Sequence, residues 1–234
     1  MAKIHRYAKQ VPGFEARILD ADDSEFYKEV LAKAKKDFPN AYTFISNNID
    51  AENATGSNFF FVCLADEMLG KTKRIPTYKD WADMLNGGNF AKGVYFDANQ
   101  LVLRSNQASY KRNQHLINDL VRKLKGQYEF SPKNPLIITN PKLRKSKAGN
   151  NDYKLILNLE DATFENNSDF AYGKNKIELG NHTKNLLAKE KGLSRLCLGQ
   201  YFVDSYCDNL AYSNSNSRVA FLDAEGVAHV ALQI

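Results

Sequence analysis

The spacing of apolar and polar residues predicts strands and a helix in the first part of the chain. Short apolar or alternating runs at 14–19, 41–46 and 59–65 are typical of strands. The run at 59–65 is apolar throughout, which favours a strand buried on both faces. Between the first two runs, apolar residues recur at helical spacing from Phe26 to Ala34, after a capping sequence at 22–25.

Capping and turn residues then predict a short helix and a hairpin. Thr77 with Asp80 is typical of a helix N-terminus, and Gly87 ends the apolar pattern that follows. Apolar residues on both sides of the polar sequence 97–100 predict a hairpin with strands at 93–96 and 101–104. Up to residue 96, the predicted order is therefore β-α-β-β-α-β.

This order resembles the split βαβ arrangement of ferredoxin-like and RNA-recognition domains. Phe59 and Phe61 alternate on the predicted third strand, where RNA-recognition motifs place rings that stack on bases. The sequence departs from that motif at Ser57 and Asn58, which replace a basic residue and a glycine, and at Phe60, which replaces a small residue. The resemblance implies that Phe59 and Phe61 contact bases.

The middle of the chain contains a strongly amphipathic segment followed by a polar one. Apolar residues from Leu116 to Leu124 form one stripe of a predicted helix over 107–126. A strand is predicted at 135–139. The sequence 141–151 is basic and has no apolar period, which predicts a flexible loop or linker.

The whole pattern predicts an α+β protein in two parts. The N-terminal part, 1–141, is split-βαβ-like (ferredoxin/RRM-like), and a basic loop or linker at 142–151 leads to a C-terminal part at 152–234 that packs on it. A single continuous domain is the alternative. The elements predicted after the loop are strands at 153–159 and 176–179, helices from 181 and over 194–210, and a final hairpin with strands at 218–222 and 227–232.

Positive charge is concentrated in the middle third of the chain. Segment 104–147 carries eleven basic and two acidic side chains, a net charge of +9, whereas the whole chain carries +5. The remainder is therefore net negative, and such segregation is typical of a surface that binds a polyanion. Aromatic residues interleaved with the basic ones, such as Tyr110 and Tyr128, suit the stacking of unpaired bases.

We therefore predict a protein that binds single-stranded RNA or DNA through backbone charge and aromatic stacking, with RNA slightly favoured. A protein partner or self-association is a further expectation. The predicted nucleic-acid-binding residues are Arg104, Tyr110, Lys111, Arg112, Arg122, Lys123, Lys125, Lys142, Arg144, Lys145, Lys147, Phe59 and Phe61.

Two other functions fit the sequence. Carboxylates at Asp152, Glu160 and Asp161 flank a predicted strand, and they are the residue type that holds Mg²⁺ in a metal-dependent nuclease. The aromatic-rich segment 201–212 is typical of an interaction surface, which fits a non-catalytic subunit of a viral or ribonucleoprotein assembly. No pattern identifies a catalytic residue.

The sequence lacks the residues that several other kinds of functional site require. Cys63, Cys197 and Cys207 are odd in number and widely spaced, which argues against a zinc ribbon or a disulfide framework. The sequence 70–72 ends like a phosphate-binding loop, but Ala65 stands where the leading glycine belongs. We therefore expect neither a metal nor a cofactor. No apolar run has the length of a membrane span and the N-terminus lacks a secretory pattern, so we expect a soluble, cytoplasmic protein.

Overall fold

The computed structural model describes residues 8–85, 91–146 and 152–224, which form an α+β fold of helices packed on sheets. The helices are α1 (Ser24–Asp37), α2 (Tyr42–Ile45), α3 (Phe59–Met68), α4 (Tyr78–Leu85) and α5 (Gln114–Leu124). The strands are β1 (Ala8–Val11), β2 (Phe14–Ile18), β3 (Lys73–Arg74), β4 (Tyr95–Leu103), β5 (Leu136–Thr139), β6 (Lys142–Lys145), β7 (Leu155–Asn158), β8 (Thr163–Asn166), β9 (Lys176–Leu179), β10 (His182–Ala188), β11 (Leu193–Gly199), β12 (Phe202–Ser205), β13 (Ser217–Arg218) and β14 (Ala220–Asp223).

The largest sheet is built around β4 and β11, which are antiparallel neighbours. Its strand order is β8-β5-β4-β11-β12-β10-β9, and β13 pairs with one end of β4. Every residue of β4 after Tyr95 is buried. This strand is therefore the centre of the fold, with other elements covering both of its faces.

The second sheet joins the beginning and the end of the described chain. Its order is β1-β2-β14-β3, with Phe221 of β14 opposite Arg17 of β2 and Leu222 opposite Arg74 of β3. In the largest sheet, Leu103 of β4 likewise lies opposite a residue of β11. Strands that precede residue 141 thus pair with strands that follow residue 152 in both sheets.

Apolar side chains pack on both faces of the largest sheet. On one face, Leu101 and Leu103 join a core that contains the buried residues of α1, α3 and α5. On the other face, Phe96 and Val102 pack with Trp81 of α4, and the ring centroids of Trp81 and Phe96 are 4.8 Å apart. The two cores account for the apolar periodicity of the helices.

Segment 59–65 is a helix and not the predicted buried strand. The side chain of Asn58 accepts a hydrogen bond from the backbone N–H of Phe61 at 3.0 Å, which caps the N-terminus of α3. All residues from Phe59 to Ala65 are buried, so the helix shows no polar face from which its period could be read. Because 41–46 also forms a helical turn, α2, the described residues lack the β-α-β-β-α-β order.

The predicted hairpin around 97–100 is instead one continuous strand, β4. Its polar side chains have partners inside the fold. Asn99 donates to Asp66 at 2.9 Å, and Gln100 accepts from the backbone N–H of Tyr78 at 2.9 Å. The polar residues of 97–100 are buried with hydrogen-bond partners, as buried polar groups usually are. Their composition is nevertheless that of a turn, which explains why the hairpin prediction was wrong.

Both helices predicted between 181 and 210 are strands. His182–Ala188 forms strand β10, and the segment predicted as the second helix contains most of β11 and all of β12, separated by a turn. Gly199 ends β11, and a Cβ at this position would lie 2.7 Å from the ring of Phe202. The close approach of ring and backbone leaves no space for a side chain at this turn. Every residue of β11 is buried, so this strand shows no polar face from which its period could be read.

The start of the predicted basic loop is also ordered. Lys142–Lys145 form β6, which pairs with β7 and places Arg144 opposite Ile156. The burial of Leu143 and Leu157 anchors this hairpin to the core, whereas residues 147–151 lie outside the described part of the chain. The hairpin therefore presents its basic residues from a defined backbone.

The other predicted elements are confirmed, with shifts at their ends. The first strand, the first helix, the helix capped by Thr77 and the amphipathic helix correspond to β2, α1, α4 and α5. The strands predicted at 135–139, 153–159 and 176–179 are β5, β7 and β9. Segment 218–222 contributes to β13 and β14, and 227–232 lies outside the described residues. In the part that the structure describes, no helix is both long and apolar enough to cross a membrane.

Candidate functional site

Arg104 lies in the interior of the protein. Its guanidinium donates hydrogen bonds to the carbonyl oxygen of Phe170 at 2.9 Å and to Oγ of Ser205 at 2.7 Å. Burial lowers the pKa of Arg104 to about 10. A fully buried guanidinium cannot reach a phosphate, so the structure removes Arg104 from the predicted binding residues.

The three predicted aromatic contacts are not presented to solvent as stacking platforms. Phe59 and Phe61 are fully buried in α3, and the ring centroid of Phe61 lies 5.0 Å from that of Tyr27. Tyr110 is half-buried and packs against the same core. The resemblance that implied base contacts for Phe59 and Phe61 assigned them to a strand, and their position in a buried helix makes them core residues.

Two of the predicted basic residues on α5 share one carboxylate. Asp119 contacts Arg122 at 2.5 Å and Lys123 at 2.6 Å. Lys123 also donates a hydrogen bond to the carbonyl oxygen of Leu157, which ties α5 to β7. Lys123 therefore has a structural role, whereas the Arg122 side chain remains largely exposed.

The hairpin β6–β7 carries two further ion pairs. Lys142 pairs with Asp161, and Arg144 pairs with Glu160 at 3.1 Å. All four side chains are substantially exposed, and such pairs contribute little to stability. The carboxylates nevertheless offset the local positive charge that a polyanion would encounter.

Four of the predicted basic residues are exposed and have no carboxylate at ion-pair distance among the described residues: Lys111, Arg112, Lys125 and Lys145. Lys125 follows the last turn of α5, about 16 Å along the helix axis from its start beside Arg112. Lys147 lies outside the described residues. The length of α5 therefore separates Lys125 from Lys111 and Arg112.

Arg112 contacts an aromatic pair that leads to the start of β7, the strand that pairs with Lys145. The guanidinium carbon of Arg112 lies 5.7 Å from the ring centroid of Phe44, and that ring is 5.2 Å from the ring of Tyr153. Tyr153 precedes β7, in which Leu155 pairs directly with Lys145 of β6. A cation–π contact of this kind restrains the guanidinium without neutralising it.

The last turn of α1 adds a further lysine to this surface. The pKa of Asp37 is lowered, chiefly by a hydrogen bond from Lys33 at 2.7 Å and also by the nearby charges of Lys36 and Lys145. The charges of Lys36 and Lys145 therefore act on one carboxylate, Asp37, that is already paired with Lys33. We call these exposed cations, Lys36, Arg112 and Lys145, together with Lys111 directly before Arg112, the basic end.

A second polar site, which the sequence patterns did not predict, is buried between β4 and β11. Arg195 forms an ion pair with Asp97, whose other carboxylate oxygen accepts a hydrogen bond from Oγ of Ser57 at 2.6 Å. Burial raises the pKa of Asp97, although Arg195 and Ser57 act in the opposite direction. The signal in the sequence was one charged residue in each of two largely apolar segments, Asp97 in one and Arg195 in the other.

A cavity of about 150 Å³ opens beside this ion pair. Arg195, Asp204 and Tyr212 line it together with the thiols of Cys197 and Cys207. Burial raises the pKa of both thiols, which argues against a thiolate nucleophile. We call this cavity the Arg195 pocket.

The carboxylates of the nuclease hypothesis do not converge. Glu160 and Asp161 form the ion pairs of the β6–β7 hairpin, and Asp152 is exposed near the other end of β7. Over residues 8–85, 91–146 and 152–224, no group of three or more His, Cys, Asp or Glu side chains could hold a metal ion.

A comparison of the chain with known protein families, with curated proteins and with solved structures gives no match.

Proposed function

We propose that the protein binds single-stranded nucleic acid, RNA or DNA, through phosphate contacts at the basic end. The proposal is supported by Lys36, Arg112 and Lys145, which are exposed and have no ion-pair partner among the described residues. The charges of Lys36 and Lys145 act on the same carboxylate, Asp37, and Arg112 contacts Phe44 beside Tyr153, two residues before the strand partner of Lys145. Exposed, unpaired cations favour phosphate binding, because each contact between a basic side chain and a phosphate releases a counterion from the nucleic acid.

The basic end differs from the rest of the basic segment in how its charges are held. Phe44 restrains Arg112, so binding orders few additional torsions of that side chain, and the backbone of Lys145 is fixed by strand pairing. Elsewhere in the segment, Arg104 is buried and Arg144 faces Glu160. The proposal therefore depends on fewer residues than the sequence predicted.

The test is to neutralise the basic end and measure oligonucleotide binding at several salt concentrations. We expect the triple variant K36Q/R112Q/K145Q to bind a single-stranded oligonucleotide at least about tenfold more weakly near physiological salt. The slope of log K against log salt should fall in magnitude by about 2, because three phosphate contacts are lost at about 0.7 each. Fluorescence anisotropy measures both quantities.

The matched control removes the same charge elsewhere. Lys71, Lys92 and Lys176 are exposed and have no carboxylate at ion-pair distance in the described residues, and none belongs to the basic end. We expect K71Q/K92Q/K176Q to retain most of the affinity. An equal loss of affinity in both triple variants would show that binding depends on net charge alone. If the wild type does not bind the oligonucleotide near physiological salt, the proposed function is refuted.

A further inference from the structure

The largest sheet ends at β9, which pairs with β10 on one side and with no described strand on the other. The side chains of β9 alternate, so that Ile177 and Leu179 are buried in the core whereas Lys176 and Glu178 are exposed. A strand at the edge of a sheet has backbone N–H and C=O groups that can pair with another chain. The outer side of β9 therefore offers a place for one further strand.

The register with β10 identifies which backbone groups of β9 face outwards. The backbone N–H of Leu186 in β10 donates to the carbonyl oxygen of Asn175 at 2.9 Å. Hydrogen-bonded pairs alternate along an antiparallel ladder, so every second residue from Asn175 onwards bonds to β10. The N–H and C=O groups of the residues in between, Lys176 and Glu178, therefore point away from β10. No described residue forms a hydrogen bond with them.

The two outward-facing residues carry opposite charges on the same exposed face of the sheet. The carboxylate of Glu178 accepts hydrogen bonds from Oγ1 of Thr183 at 2.9 and 2.8 Å, and Thr183 lies directly opposite it on β10. Lys176 has no carboxylate at ion-pair distance among the described residues. Charged side chains at a sheet edge usually prevent pairing with another chain. Whether they do so at β9 depends on the register of the added strand.

A two-fold axis through Ile177 brings the opposite charges together. When β9 pairs antiparallel with β9 of a second copy about this axis, Lys176 of each copy lies directly opposite Glu178 of the other. These are also the residues whose backbone groups face outwards, so the same register completes the hydrogen bonds of the ladder. A register shifted by two residues places Lys176 opposite Lys176, or Glu178 opposite Glu178. Opposite charges across a ladder stabilise it and like charges destabilise it, so the charges select the first register.

The other edge strands lack this self-complementary pattern. In a two-fold contact the same surface meets itself, so one strand must carry both signs of charge. The strands β1, β8 and β13 carry one charged residue each, and β7 carries none. The charged residues of β3 and β6 are all basic. Among the described edge strands, β9 is the one that fits a second copy of itself.

We propose that two copies of the chain associate through β9, in an antiparallel pairing centred on Ile177 that continues the largest sheet from one copy into the other. This association does not depend on nucleic-acid binding. An interface formed mainly by a four-residue strand buries less than about 1,200 Å², which is the range of weak, transient contacts. We therefore expect a reversible dimer with a dissociation constant of about 10 μM to 1 mM.

Sedimentation equilibrium of the full chain and of charge-reversed variants tests this association. Lys176→Glu and Glu178→Lys each place like charges opposite one another, so each variant should dimerise at least about tenfold more weakly than the wild type. An equimolar mixture of the two variants should associate about as tightly as the wild type, because the acidic edge of one meets the basic edge of the other. A wild-type chain that is monomeric at about 1 mM would overturn the proposal.

The matched controls reverse the same charges away from the edge. Lys71 and Glu190 are exposed and lie outside β9, so Lys71→Glu and Glu190→Lys should each dimerise like the wild type. Undiminished association of Lys176→Glu and Glu178→Lys would overturn the assignment to β9. If both variants lose association and their mixture does not regain it, the antiparallel register centred on Ile177 is wrong.

Hydrogen exchange of the wild type locates the interface without any substitution. The backbone amides of Lys176 and Glu178 should exchange more slowly as the protein concentration rises through the dissociation constant, because dimerisation gives them acceptors. The amide of Ile177 faces β10 in the single chain, so it serves as the internal control. Residue-resolved NMR measures the three rates. A dimer that forms without added protection of Lys176 and Glu178 would overturn the proposal.

Discussion

Arg195 and Asp97 form an ion pair inside the protein, on neighbouring antiparallel strands of the largest sheet. Their side chains are 1% and 0% exposed. A buried charge is tolerated only when it is paired and hydrogen-bonded, and here Ser57 completes the environment of the carboxylate. The two residues also connect α3, through Ser57 before it, to the strands that frame the Arg195 pocket.

Loss of one partner of this pair should be far more damaging than loss of both. We expect Asp97→Ala to lower the free energy of unfolding by about 3–5 kcal/mol, because it leaves a buried guanidinium unpaired. The double variant D97L/R195M should cost less than the single one, since no charge remains in the interior. Urea denaturation of the variants measures the difference. A cost below about 1 kcal/mol for Asp97→Ala would show that water reaches the pair.

The burial of α3 predicts a structural role for its aromatic residues. Phe61→Ala should lower the free energy of unfolding by about 3–5 kcal/mol, because it leaves a cavity beside Tyr27. Tyr201→Ala, at an exposed position, should change it by less than about 0.5 kcal/mol. Phe61→Leu retains apolar volume and should leave oligonucleotide affinity unchanged. A loss of affinity in a folded Phe61→Leu protein would contradict the assignment of Phe61 to the core.

Asp80 is expected to make stability depend on pH through the start of α4. It accepts hydrogen bonds from Arg74 and from the backbone N–H of Thr77, at 2.6 and 2.8 Å. Burial acts to raise the pKa of Asp80, but these partners outweigh it, and the pKa is lowered. The stabilisation is therefore complete above the unfolded-state pKa near about 4 and is lost as pH falls through the lower native value.

The corresponding measurement compares Asp80→Asn with the wild type at pH 7 and near pH 2. We expect a cost of about 1–2 kcal/mol at pH 7 and a smaller cost in acid. Asp83→Asn, at an exposed position of the same helix, is the control and should cost less than about 0.5 kcal/mol. A cost for Asp80→Asn that is the same at both pH values would exclude the ionised carboxylate as its source.

The carboxylates of the β6–β7 hairpin should weaken nucleic-acid binding. In the variant E160Q/D161N, Lys142 and Arg144 lose their partners and the surface becomes more positive. We expect tighter oligonucleotide binding and a steeper salt dependence, with stability changed by less than about 1 kcal/mol. Anisotropy titrations at several salt concentrations measure this. Unchanged affinity would place these four residues outside the path of the strand.

Helices and strands were predicted best where regularly spaced apolar residues are accompanied by a polar face. The helix α5 has an apolar stripe and a charged face, and α4 has a capping signal, so local pattern was sufficient for both. The buried helix α3 has no polar face, and β4 carries buried polar residues with distant partners. Neither could be assigned from neighbours in sequence, because the deciding contacts come from elsewhere in the chain.

The sequence by itself determined the α+β composition, the segregation of positive charge and the amphipathic helices, since these follow from residue order alone. Only the tertiary structure decided which charges are available. It buried Arg104, paired Arg144 with Glu160 and let the charges of Lys36 and Lys145 act on the same carboxylate, Asp37. It also joined Asp97 to Arg195 across two strands that are far apart in sequence. The physical reason is that desolvation and pairing depend on distances in space, which a charge count along the chain does not contain.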